Sequence, residues 1–490
     1  MVRMCVSRKE RTGHRRKRLP RNGHDRAGRC SKATLQSRDI SLHPHPGHEQ
    51  SGTLLSGPVL TEGDLMKRHT RTRASARLLG LSAAVLCAAT AAVTYTAATG
   101  TAAPDEATGR SAVPTSEATR TVRYDLGNQG WHLPQTGEPV ELTGVVHYPA
   151  HLGTGRHPLI LMVHGWHETC ADRKADAART AAERSGDDAA YEAASAKLFA
   201  WPCATGTPAL PSERGYDYVG RKLAAQGFVV VSVGANGINA SSVSGDGNAA
   251  ARADLINRHL RMWQELSSKN EGELAGKFVD PTTGAARRVG FAHHVDMGDV
   301  GIMGHSRAGA GATWQAADSH RGQWPEGVDV KAVAAVAPAY NMMTKNMSDY
   351  TITKTPFAVF RGTCDGQVGR EAFSFAADAG EGNRGGFYRF SLHGANHNYF
   401  NTQWSPRSRQ VAATDDSVPV EGHPGQCTDH EGAASAKQLT EPQQRHAAAT
   451  YLGAFFRRHL LGDTGQDQVL TGERHPDAAV TDVDVTTAAP

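Results

Sequence analysis

The segment that most constrains this chain is Val300-Gly301-Ile302-Met303 followed by Gly304-His305-Ser306-Arg307-Ala308-Gly309. A short apolar run predicts a buried strand, and the Ala-rich stretch from Ala310 to Ala317 predicts a helix directly after it. A single serine stands at the junction. Joining a strand to a helix through so few residues requires a strained turn, with small residues on either side so that the two backbones can pack closely. The usual spacing is Gly-x-Ser-x-Gly. Here the fifth position is Ala308 and the glycine follows at Gly309. Alanine is the next smallest side chain, so the turn is still expected to form. A serine held this way exposes its hydroxyl above the strand end, the layout of a nucleophile elbow.

An elbow serine needs a base, an acid to orient the base, and two backbone N–H donors for an oxyanion. In this layout the chain order is serine, acid, histidine. Pro356 to Phe360 predicts a strand that ends in Arg361-Gly362-Thr363-Cys364-Asp365-Gly366, so Asp365 is the expected acid, with Asp349 as its rival. Phe387 to Leu392 predicts a further strand leading into His393-Gly394-Ala395-Asn396-His397. His397 is the expected base. Its rival His393 is read as a strand-capping residue. Upstream, the predicted strand Pro158 to Val163 ends in His164-Gly165-Trp166-His167. The expected oxyanion donors are the backbone N–H groups of Trp166 and Arg307. Through that role their side chains are unconstrained. Tyr340 and Trp404 are candidate acyl-pocket residues, although an aromatic at such a position is more often core or rim. His164 is expected to pack rather than to bind metal, and Asp299 to start the elbow strand. With no C-x-x-C, no metal site is expected, and the chemistry needs no cofactor.

These motifs resemble the α/β-hydrolase superfamily over about residues 140–462. The His-Gly-Trp loop, the Gly-His-Ser-Arg elbow and the Gly-Ala-Asn-His loop are similar to those of secreted bacterial esterases, dienelactone hydrolases and cutinase-like polyester hydrolases. Chlorophyllases have a similar Gly-His-Ser-Arg elbow. The resemblance implies an α/β-hydrolase fold, a mostly parallel central sheet with helices on both faces. It also implies a Ser306-His397-Asp365 triad acting on a small or polymeric carboxylic ester. A peptidase or amidase with the same triad, and a non-catalytic secreted binding protein on the same fold, are the alternatives.

Charge is unevenly placed. The chain has 53 Lys/Arg and 49 Asp/Glu, but residues 1–77 hold 18 of the former and only 6 of the latter. The remainder is mildly acidic, which speaks against a nucleic-acid partner. The basic segment instead leads into a secretory signal. Met66 to Arg73 forms a positive n-region, Leu78 to Ala89 an apolar h-region, and small residues run to Ala103. Such a signal is expected at the start of a chain. Met66 is therefore read as the start, residues 1–65 as a disordered non-native extension and 66–103 as the signal peptide. The alternative is a membrane anchor, although the run from Leu78 to Ala98 is interrupted by Thr and Tyr. No Arg-Arg pair stands between Met66 and the h-region, and Leu86 before Cys87 does not fit a lipoprotein signal.

Beyond the leader four cysteines remain, Cys170, Cys203, Cys364 and Cys427. Four cysteines allow three pairings. Cys170–Cys203 and Cys364–Cys427 are preferred because each brackets one loop region, and each closed loop stabilises by roughly 3–4 kcal/mol. The remaining organisation is read as a linker at 104–122, a catalytic domain at 123–462 and a polar disordered tail at 463–490. The domain carries an insertion at 168–215 that is either a lid or surface decoration.

Overall fold

The computed structural model describes residues 118–339, 346–429, 434–477 and 483–488. The expected extension and signal peptide (1–103) and Tyr340 lie outside the described residues. Nine strands form one sheet: β1 (Thr119–Asp125), β2 (Thr143–Pro149), β3 (His157–Val163), β4 (Val229–Val233), β5 (Val295–His305), β6 (Val330–Val336), β7 (Phe357–Gly362), β8 (Phe387–Leu392) and β9 (Val483–Ala488). Their order across the sheet is β1-β2-β4-β3-β5-β6-β7-β8-β9. The strands from β4 to β8 pair in parallel. Antiparallel pairs close both edges, β1–β2–β4 on one side and β8–β9 on the other.

A strand whose two faces are both covered reads as a continuous apolar run, and its successive side chains point in opposite directions. In β3, Leu159, Leu161 and Val163 enter one core while Ile160 and Met162 enter the other. The first core is closed by α4 (Gly245–Lys269), α5 (Arg307–Ala316) and α6 (Glu371–Ala379), through residues such as Leu255, Leu260, Trp263, Ala308 and Phe375. The second is closed by α3 (Asp217–Ala224) and α7 (Glu441–Leu460), through Val219, Leu223, Leu452, Phe455 and Phe456. The molecule is thus α/β, a large and mostly parallel sheet with helices on both faces. Each buried Val, Leu or Phe side chain among these contributes about 1.5–3 kcal/mol.

The insertion folds as two helices, α1 (Arg173–Ser185) and α2 (Asp188–Leu198). Asp172 caps α1 by accepting from the N–H groups of Lys174 and Ala175. Both expected disulfides are present. Cys170–Cys203 ties the insertion to itself, and Cys364–Cys427 ties the segment after β7 to a small antiparallel sheet at 418–437. Among the described residues no helix is long and apolar enough to cross a membrane.

Two boundaries differ from the sequence reading. The linker does not extend to 122: Thr119 already pairs with Pro149 in the edge ladder. The polar tail at 463–490 is not simply disordered either. Asp467–Leu470 is a short helix, and β9 adds to the sheet edge with Leu392 opposite Val483 and Phe390 opposite Val485. Edge pairing uses backbone groups and needs one apolar face, which Val483 and Val485 supply within a Thr- and Asp-rich sequence. A compositional reading misses so short an alternation.

Candidate functional site

Ser306 sits where β5 passes into α5, with φ 59° and ψ −127°. A non-glycine residue in this region is strained by about 1–3 kcal/mol and must be held there by its surroundings. Its N–H donates to Val336 O at 2.8 Å, and its own carbonyl accepts from Gly309 N at 2.8 Å and Ala339 N at 3.3 Å. The small residues around it are needed for contact. A Cβ on Gly304 would lie 1.8 Å from Ala308 O, and one on Gly309 would lie 2.9 Å from the Pro338 ring. The glycine that the turn requires on its far side is therefore Gly309. Ala308 is fully buried in the core below.

β7 delivers Asp365 and β8 delivers His397, each just beyond its strand end. Both are about 1% exposed, and His397 Nδ1 lies 2.9 Å from Asp365 Oδ2. The other Asp365 oxygen accepts from the N–H groups of Gln367 and Val368 at 2.8 Å each. Burial alone would raise the Asp365 pKa, but the His397 charge and hydrogen bond and these two N–H groups hold it below the ordinary carboxylate value. For His397 burial would act downward. The Asp365 charge and bond outweigh it and leave the imidazole pKa raised. His397 Nε2 is buried and makes no hydrogen bond to the protein.

The histidine ring of the neighbouring residue, His305, packs on His397 with centroids 4.6 Å apart. This contact brings the turn at Ser306 and the Asp365–His397 pair together. Tyr216 lies with its hydroxyl 2.9 Å from His305 Nδ1. Burial, then the charges of His397, His164 and His167, keep the His305 pKa well below the ordinary value. It stays neutral beside a histidine that is biased toward protonation.

The loop after β3 meets the turn from the other side. A Cβ placed on Gly165 would be 2.5 Å from Ser306 Cβ and 3.2 Å from Ser306 Oγ, so only glycine fits. The next residue, Trp166, stacks on Phe199 of the insertion at 4.6 Å, and the Arg307 guanidinium lies over the Trp166 ring at 4.8 Å. The side chains of these two residues are therefore held by packing, including against each other, independently of the backbone role expected of them. His164 is fully buried, donates from Nδ1 to Gly165 O at 2.9 Å and accepts the Ala235 N–H at Nε2 at 2.8 Å. Burial lowers its pKa to about 3, so it is a neutral packing residue as expected.

Trp404 does not line an open pocket. It is 1% exposed and stacks on His167 at 4.9 Å and on His305 at 5.1 Å, with its N–H donated to Ser212 Oγ at 3.1 Å. Its ring and its donor are both engaged within the protein. Tyr340 lies outside the described residues. The rivals fall elsewhere: His393 pairs with Asp484 of β9 at 2.7 Å, and Asp349 lies 3.5 Å from His320. Asp299 is inside β5, at an irregularity of its ladder with β3, rather than at the strand start.

Sequence reasoning missed Asp416. Its carboxylate accepts the N–H groups of His397 at 3.1 Å and Asn398 at 3.0 Å. Burial, then the nearby Asp365 charge, push its pKa up to about 7. Its neighbour Asp415 receives Asn396 Nδ2 and the Tyr399 hydroxyl at 2.8 Å each, so the two aspartates tie down the His397 loop. Nothing in the motif spacing marks this pair. Among the described residues no cluster of three or more His, Cys, Asp or Glu is arranged to hold a metal ion. No model of a known protein family matches this chain, and no curated protein matches it.

Proposed function

From the sequence and the geometry together we propose that this chain is a secreted serine hydrolase of carboxylic esters. The observation that carries the reading is the buried 2.9 Å His397–Asp365 pair with an unengaged Nε2, reached across His305 from a serine held at positive φ. The strand order, the right chain order of serine, acid and histidine, and the crossing of the 164–167 loop at Ser306 support the α/β-hydrolase reading. The two disulfides support export.

In this mechanism His397 Nε2 takes the Ser306 proton as Oγ attacks the ester carbonyl. The N–H groups of Trp166 and Arg307 receive the oxyanion. The tetrahedral centre collapses, the C–O bond to the alcohol breaks, and His397 returns the proton to the departing alkoxide. Water, deprotonated by His397, then hydrolyses the acyl-Ser306 ester, releasing the acid and regenerating the serine. Asp365 fixes the imidazole tautomer and stabilises its cation throughout. The test is hydrolysis of p-nitrophenyl esters of increasing acyl length, with a p-nitroanilide beside them and Ser306→Ala as control. Ester turnover that vanishes in Ser306→Ala supports the reading. Equal turnover in both proteins, or cleavage of the anilide alone, overturns it.

A further inference from the structure

Resting on that reading, we infer that Arg252 and Asn239 are positioning residues that aim the 164–167 loop at the oxyanion. Arg252 projects from α4 and is fully buried. Its Nη1 donates to His164 O at 3.0 Å, its Nη2 to Asn239 Oδ1 at 2.6 Å and its Nε to Asn248 Oδ1 at 3.0 Å. Asn239 in turn donates from Nδ2 to Gly165 O at 3.1 Å and to His167 O at 3.2 Å. Three carbonyls of the loop are thus turned toward one buried cluster. In a trans peptide the N–H of the following residue points opposite to the carbonyl. Holding Gly165 O on Asn239 therefore fixes the direction of the Trp166 N–H, and holding His164 O on Arg252 fixes that of Gly165.

The same arginine touches the other half of the site. A Cβ on Gly311 of α5 would fall 2.5 Å from Arg252 Cβ, so α4 and the helix that follows Ser306 meet at this residue. A buried guanidinium is a costly way to fill a core, and a well-packed apolar residue would serve stability as well or better. Among the hydrogen bonds seen none reaches a carboxylate: Glu141, the nearby acid that attracts it, receives the N–H groups of Asn236 and Gly237. Burial, then repulsion from Arg307, lower its pKa only to about 9, so it remains charged at neutral pH. A fixed positive charge behind the loop also favours negative charge at the serine.

The test compares Arg252→Met, Arg252→Lys and Asn239→Asp with Ser306→Ala in the full chain. The readouts are kcat and KM on a p-nitrophenyl ester, inhibition by an alkylboronic acid that forms a tetrahedral anion on serine, and Tm. Asn239→Asp keeps size and an Arg252 partner but loses both donors to the loop. Expected is a fall in kcat of about 10²-fold for Arg252→Met and Asn239→Asp, with KM within about threefold and boronate affinity falling in step with kcat. Arg252→Lys recovers part of this loss. Folded variants with unchanged kcat and boronate affinity, in a protein that Ser306→Ala inactivates, overturn the inference and leave the hydrolase reading standing. Full activity in Ser306→Ala overturns both.

Discussion

Gly165→Ala is the smallest change that tests whether the 164–167 loop and Ser306 form one site. The added Cβ would stand 2.5 Å from Ser306 Cβ and 2.6 Å from His305 O. Carbon atoms in contact sit at about 3.5–4.0 Å, so the loop must retreat by about 1 Å or the serine must rotate. The serine is poorly placed to move, because its backbone is fixed by Val336, Gly309 and Ala339. The retreat therefore falls on the Gly165–Trp166 peptide, the proposed oxyanion donor. A misplacement of this size costs on the order of 10²-fold in rate, and complete loss of one oxyanion donor about 10²–10³-fold. Overpacking at a single position costs about 1–3 kcal/mol of stability, so the protein is expected to stay folded. The assay is kcat on a p-nitrophenyl ester, with Tm measured alongside. A fall of 10²-fold or more with KM little changed supports the geometry. Activity within twofold of the parent, in a folded protein, would refute the placement of the loop against the serine.

Other outcomes follow from the same structure. Because His397 must be neutral to act as base and Asp365 holds its pKa up, ester hydrolysis is expected to fall on acidification through an inflection above the ordinary histidine value; Asp365→Asn lowers that inflection and reduces kcat by up to about 10⁴-fold. The same pair affects stability. The raised His397 contributes stability that is present below its unfolded pKa and lost as pH rises through its folded value. The depressed Asp365 contributes stability that is present above its unfolded pKa and lost as pH falls through its folded value. Urea titrations of parent and Asp365→Asn should accordingly differ most between those limits. Cys427→Ser opens a loop of 63 residues and is expected to cost roughly 4 kcal/mol, with Tm and kcat both falling because Asp365 adjoins the bridged Cys364. Ending the chain at 477 removes β9 and uncovers the β8 edge, which concentration-dependent light scattering should register as self-association.

The parts of the fold set by local rules were legible. The strand, turn and helix at Ser306 follow from apolar residues, small residues and spacing, and the positions of Asp365 and His397 follow from strand ends in the chain order the turn implies. The cysteine pairing followed from which loops each pair brackets. What remained hidden depends on burial, which a single sequence does not display. Trp404 stands open between pocket wall and core in the sequence, because an aromatic beside a site serves either purpose until its ring is seen to pack on His167 and His305. Arg252 precedes Leu255 by three residues and Ile256 by four and so shares their buried face. An arginine on an apolar helix stripe was the signal available. Asp416 left no comparable trace, since its role comes from a loop that reaches the His397 backbone from 19 residues farther along the chain.

The central claim, that Ser306 is an activated nucleophile, is tested most directly by a fluorophosphonate probe read out by intact mass and peptide mapping. The account predicts one covalent adduct per chain, located on Ser306, absent in Ser306→Ala and strongly slowed in His397→Ala. No adduct at any concentration of probe, or labelling that maps to another residue and persists in Ser306→Ala, would contradict it.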